Sequence, residues 1–178
     1  HNSVDTAYAA LGSTRTMLSP KTWVGGFGAN WYTAANWSPP GAPGASDSVT
    51  IAPAADVSVT VSASSPSITF SSLTIGSPAG AFSANLTIST TLASTAGSIL
   101  INRNAGLTQG TTRQLRVSGD FTMMSGSSLT HRAEGAVSVS SVNIWVSGTF
   151  DLKAGATIAV SGLGYRGGAV DGAGFGPG

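Results

Sequence analysis

His131-Arg132-Ala133-Glu134 is the densest charged cluster in a chain of 178 residues that holds only eight Lys and Arg, seven Asp and Glu and two His. A histidine beside a carboxylate can move protons near neutral pH. Such a pair also needs a nucleophile and donors for a developing negative charge. No residue within sequence reach supplies them, so the cluster is expected as a solvated loop on the outside of the fold. Arg103, Arg113, Arg116, Arg132 and Lys153 are the next group of interest. They could line a groove for an acidic polysaccharide. Arg103 and Arg132 lie 29 positions apart and are expected to stack on adjacent turns of a repeat. Asp47, Asp120, Asp151 and Asp171 have no calcium-loop spacing. Thr-x-Thr ladders of an ice-binding face are absent. Asn36-Trp-Ser and Asn85-Leu-Thr fit the glycosylation pattern, which matters only in a eukaryotic secretory pathway.

Three of the four tryptophans, Trp23, Trp31 and Trp37, fall close together. Indoles stack on sugar rings, so Trp31 and Trp37, with Arg103 and Arg132, are the candidate carbohydrate contacts. The competing use of the tryptophans is as a plug for the end of a fold. His1 with His131 could hold copper in a histidine brace, as in the lytic polysaccharide monooxygenases. The surrounding residues are not similar to those enzymes. No catalytic, cofactor-binding or metal-ligating residue is therefore assigned, and no enzymatic role is expected.

Composition narrows the classes. Apolar residues make up 41% of the chain, too many for a disordered one. Charged residues are 8%, against roughly a quarter in an average soluble domain. Few Glu and Lys means few good residues for exposed helix faces. The net charge of +1 excludes the positive footprint that nucleic-acid binding needs. The absence of cysteine excludes disulfides and thiol chemistry. No apolar run is long enough for a membrane-spanning helix. The chain begins at His1 without Met, which reads as a processed or excised segment.

The elements that must position these residues are set by one pattern written twice. Leu115, Val117, Gly119, Phe121, Met123, Gly126 and Leu129 recur 29 positions later as Ile144, Val146, Gly148, Phe150, Leu152, Gly155 and Ile158. One step back, Leu86, Ile88, Leu92, Gly97 and Leu100 keep the period; a further step gives Val57 and Val59. Apolar and polar residues alternate between the glycines, which is strand periodicity. A fixed period of this length marks stacked repeats. Expected interior columns are Ile88–Val117–Val146, Leu92–Phe121–Phe150 and Leu100–Leu129–Ile158, with Gly97, Gly126 and Gly155 at one corner. A β-sandwich is the alternative, but it gives no reason for a strict period.

Trp23, Trp31, Ala35-Asn36-Trp37, Pro43, Asp47, Val49 and Ile51 resemble a known opening of parallel β-helices in large bacterial secreted and cell-surface proteins of the autotransporter-passenger kind. The likeness covers the stretch 21–51. It implies a right-handed parallel β-helix with an aromatic N-terminal cap. The expected organisation is a leader over 1–20, a Trp/Pro/Gly-rich cap over 21–52, coils that keep the repeat period over 53–160 and a glycine-rich tail over 161–178. A short helical stretch is expected at Asp5–Leu11.

The expected role is a structural or adhesive extracellular or cell-surface module that assembles with itself or with neighbouring domains, into filaments or a surface layer. The alternative is a carbohydrate-binding module or a polysaccharide-lyase-like β-helix.

Overall fold

The computed structural model describes residues 20–134, 139–165, 167–168 and 172–174. The leader, with the helical stretch expected in it, and much of the glycine-rich tail lie outside the described residues. The strands, in chain order, are β1 (Pro20–Trp23), β2 (Ala29–Asn30), β3 (Trp37–Ser38), β4 (Ser48–Ile51), β5 (Val57–Val61), β6 (Thr69–Ile75), β7 (Ala84–Ile88), β8 (Ser94–Ile101), β9 (Ala105–Gln109), β10 (Leu115–Val117), β11 (Phe121–Met123), β12 (Ser128–His131), β13 (Ile144–Val146), β14 (Phe150–Leu152) and β15 (Thr157–Ala159). The only helix among the described residues is a single 3₁₀ turn at Ala34–Asn36. The strands form two sheets. One has nine strands and contains the path β13-β10-β8-β6-β4-β1-β3, with β11 and β14 alongside; the other runs β15-β12-β9-β7-β5-β2. The β1–β3 pair is antiparallel and all other pairs are parallel. The chain thus climbs a β-solenoid of about five turns.

Local sequence explains the strands. Val57-Ser-Val-Thr-Val61 alternates buried and half-exposed positions, because successive side chains on a strand point to opposite faces. The buried set is inward from both sheets, where Ile51, Val59, Ile75, Leu86, Ile101, Leu107 and Phe121 form one core. Parallel strands need long crossovers, and travel round the solenoid provides them.

The expected period holds only at the end of the chain. Phe121 lies over Phe150, with ring centroids 5.2 Å apart and planes at 20°, and Leu129 pairs with Ile158, one full period on. This direct stacking rules out the β-sandwich. In the earlier turns the steps are uneven and mostly shorter. Val59 pairs with Leu86, Leu86 with Leu107, and Leu107 with Leu129. The expected columns are corrected accordingly. Val117 sits on Ala96, not Ile88, and Phe121 on Ile99, not Leu92. Leu129 sits on Leu107 rather than Leu100, and Leu92 is an exposed turn residue. Corners between strands reach into solvent, so their length is free to vary while ladder hydrogen bonds fix the strands. β1 pairs with β4 in the first sheet and β2 with β5 in the second, so the Trp-rich stretch stacks as a turn of the solenoid.

Glycines serve two different places. The amide of Gly119 donates to the Gly97 carbonyl at 2.6 Å, and that of Gly148 to the Gly119 carbonyl at 3.1 Å. This column marks the point where β8 spans both β10 and β11, so the sheet bends there and backbones close up. Gly97 therefore does not share a corner with Gly126 and Gly155. Those two are joined by a 2.9 Å bond and both have positive φ, as does Asn104, which donates to Gly126. Their left-handed conformation turns the chain from one sheet to the other, and it favours glycine or asparagine.

The outward positions also fall in columns. On the second sheet Thr60, Thr87, Thr108 and Thr130 lie in register on adjacent strands, beside Ser58, Asn85, Gly106 and Ser128. On the first sheet Thr22, Thr50 and Thr74 do the same. Each strand supplies one threonine to its column; the Thr-x-Thr pairs of the sequence expectation are absent from these strands, and the ladders are single rows.

Candidate functional site

The three clustered tryptophans close one end of the solenoid. Trp31 and Trp37 are 0% and 1% exposed, and Trp23 is buried beside them. Trp37 meets Trp31 and Trp23 edge to face, with centroids 4.8 Å and 5.0 Å apart. The Trp37 Nε1–H donates to the Trp31 carbonyl at 2.6 Å. β3 folds back antiparallel on β1 and carries Trp37 across the core. A sugar platform needs an indole face open to solvent, and Trp31 and Trp37, buried edge to face, present none; they form the plug.

The arginines do not converge either. Arg103 is exposed at the turn before β9, and Arg132 is exposed after β12. They flank opposite ends of the second sheet's strands and do not stack. The Arg103 side chain lies against Gly80 and, more loosely, Gly126; the Nε of Arg132 lies over Gly110. Arg116 points outward on β10, in register with Thr95 and Trp145. No shared groove results.

In the charged cluster several polar side chains converge. His131 extends an inward column that begins Val61, Ile88, Gln109, so the wall changes from apolar to polar toward this turn. Gln109 is buried and clasps the Asn143 peptide, accepting from its amide at 2.6 Å and donating to its carbonyl at 3.2 Å. Beyond His131 the chain leaves the wall. Glu134 pins the far side of this excursion: its carboxylate accepts from the amides of Val139 and Ser140 at 2.5 Å and 2.6 Å. The Ser140 hydroxyl is 2.7 Å from the Glu134 Oε1 and 2.9 Å from the Arg132 carbonyl. With its side chain 4% exposed, Glu134 does not belong to a solvated loop as expected.

Ser140 is the hydroxyl that sequence reasoning missed, since it approaches only when the loop folds back. The three side chains are nevertheless not arranged as a relay. His131 Nδ1 is 2.6 Å from the Arg132 carbonyl, which can only accept, so Nδ1 carries the hydrogen. That nitrogen cannot take the proton of Ser140, 3.4 Å away. Glu134 bonds the serine directly instead of orienting the imidazole from its other side. The arrangement can fasten a loop.

The Glu134 carboxyl is held below the usual carboxylate range, chiefly by the Ser140 hydroxyl, with the Val139 and Ser140 amides and His131 adding to the effect against burial. A depressed acid stabilises the folded loop fully above its ordinary value, about 4.3, and loses that contribution as pH falls through the folded value. The amides of Val139 and Ser140 are therefore expected to be protected from hydrogen exchange at neutral pH. Their protection should fade in acid after correction for intrinsic rates, and Glu134→Gln should weaken it at neutral pH and remove most of its dependence on pH. Protection that ignores both changes would show that the carboxylate does not hold the loop.

Among the described residues no three His, Cys, Asp or Glu side chains group to hold a metal. His1, the other half of the histidine brace weighed above, lies outside the described residues. No described helix is long and apolar enough to cross a membrane.

Comparison with known proteins gives no match to a family model, a curated protein or a solved structure. The class of protein is defined by its architecture alone: a parallel β-solenoid with one aromatic-plugged end.

Proposed function

We propose that the chain is a structural or adhesive β-solenoid module of an extracellular or cell-surface protein, and that its open end joins a further coil or a second copy. The single observation that carries this is the asymmetry of the two ends. Three buried tryptophans seal the first. At the other, the inward positions stay uncovered: Phe121 and Leu129 are 0% and 1% exposed, but their successors Phe150 and Ile158 are 41% and 43% exposed. Leu152 and Val160 are exposed beside them. Fully burying such side chains is worth about 1.5–3 kcal/mol each, so a cover here gains several kcal/mol. Among the described residues the outer strands β13, β14 and β15 each have one neighbour, leaving a row of backbone groups for strand addition. The low charge, the Ser/Thr/Gly-rich surface and the likeness to secreted β-helices support a place outside the cell. The burial of Trp31 and Trp37 favours the structural reading over the carbohydrate one.

The test is sedimentation over a wide range of concentration, comparing the wild-type chain with Phe150→Lys/Ile158→Lys. The wild type is expected to associate as concentration rises and the variant to remain monomeric. A wild type that stays monomeric throughout and binds a polysaccharide on a glycan array would displace the structural role. Recovery of the native material from the cytosol rather than the envelope or medium would overturn its location.

A further inference from the structure

We infer that the outer face of the six-stranded sheet is an ice-binding surface. Thr60, Thr87, Thr108 and Thr130 stand in one column on four adjacent parallel strands. A second column two residues upstream reads Ser58, Asn85, Gly106 and Ser128, with the Asn85 and Ser128 side chains closing over the glycine. Neighbouring strands lie about 4.8 Å apart, and alternate residues along a strand about 6.6 Å apart. The result is one unbroken row of threonines at the strand spacing, which comes close to a repeat of water in hexagonal ice, with a partial second row beside it.

Each threonine offers the row a hydroxyl and a methyl. The hydroxyl can anchor a water molecule, and the methyl limits how tightly the rest of the layer is held. β-Branched side chains are stiff at χ1, so both groups keep their direction without an added entropy cost on binding. The Thr130 hydroxyl is fixed further by a 2.6 Å bond to the Ala159 carbonyl. Parallel pairing continues without a break across all four rungs, which keeps the rows aligned.

Charge decides against other occupants. A lysine or carboxylate orders water radially around itself and would disrupt a lattice. The paired positions of β5, β7, β9 and β12 that face outward are Ser, Thr, Asn or Gly. Nucleic acid would require a positive face. A sugar chain would need aromatic planes, and these rows have none. The other sheet is a poorer candidate, because its corresponding column passes from Thr74 to Leu100 and on through Thr122 to Asp151.

The experiment is to watch single ice crystals in a solution of the full chain and to measure the gap between melting and freezing. Wild-type protein is expected to facet the crystals and open a gap. Thr87→Lys and Thr108→Tyr should each remove at least half of it, whereas Thr74→Lys on the other sheet should leave it intact. Circular dichroism identifies any variant that has lost its fold; tyrosine, a good strand former, is the safer of the two changes. Crystals that grow round in wild-type protein would overturn the inference. So would equal losses from Thr74→Lys, or retention of the protein on an insoluble polysaccharide that is abolished by the same sheet variants.

Discussion

Trp37→Ala is expected to cost about 3–5 kcal/mol of stability, the range for removing a buried aromatic side chain. That approaches the whole stability of an ordinary domain, about 5–15 kcal/mol. Trp37 is the centre of the plug: it touches both Trp23 and Trp31 edge to face and bonds the Trp31 carbonyl. Its loss leaves a cavity at the end of the core and an unpaired buried carbonyl together. Chemical denaturation followed by far-ultraviolet circular dichroism would measure the change. Trp145→Ala is the control, since Trp145 stands exposed on the outer face of β13. It should shift stability by no more than about 0.5 kcal/mol. Equal effects from the two substitutions would mean that the plug does not hold the first turn.

Gly97→Ala is expected to be comparably severe although it adds one carbon. A Cβ at Gly97 would overlap the carbonyl oxygen of Ser71 on β6, a backbone atom and not the end of a pliable side chain. Gly97 is also held from the other side by the amide of Gly119 at 2.6 Å, and Gly119 in turn by Gly148. Moving one rung moves the column. Overpacking costs about 1–3 kcal/mol where side chains can shift, and a rigid backbone contact puts Gly97→Ala at or above the top of that range. Gly26→Ala, with nothing near the added carbon, is the matched control. A thermal melt of Gly97→Ala that overlays the wild type would show that the bend can open to admit a side chain.

The glycines show how differently two parts of one pattern read. Gly119 and Gly148 were legible as a pair, because the turn of the solenoid between them has the same length as the period in the sequence. Gly97 was placed with Gly126 and Gly155 by the same count and belongs elsewhere. Between β8 and β10 the corner is shorter, so Ser94 pairs with Leu115 well before a full period has elapsed. The threonine column was hidden for the same reason: its members are spaced unevenly in sequence and evenly in space. In the charged cluster, Glu134 and His131 were visible as neighbours, but Ser140 and Gln109 were not. Their contacts form across a loop and between turns.

The sequence by itself determined that this chain is all β, that it repeats, that its interior is apolar and that aromatics guard one end. Alternation and recurrence are local properties, and they survive without knowledge of any contact. Tertiary structure alone decided which residues share a column, because hydrogen-bond register between strands is indifferent to how many residues the corner spends in solvent. It also decided that Trp31 and Trp37 face inward, that Arg103 and Arg132 lie apart, and that Phe150 and Ile158 stand exposed over the buried Phe121 and Leu129. Burial and the meeting of distant side chains exist only once the turns are laid on one another.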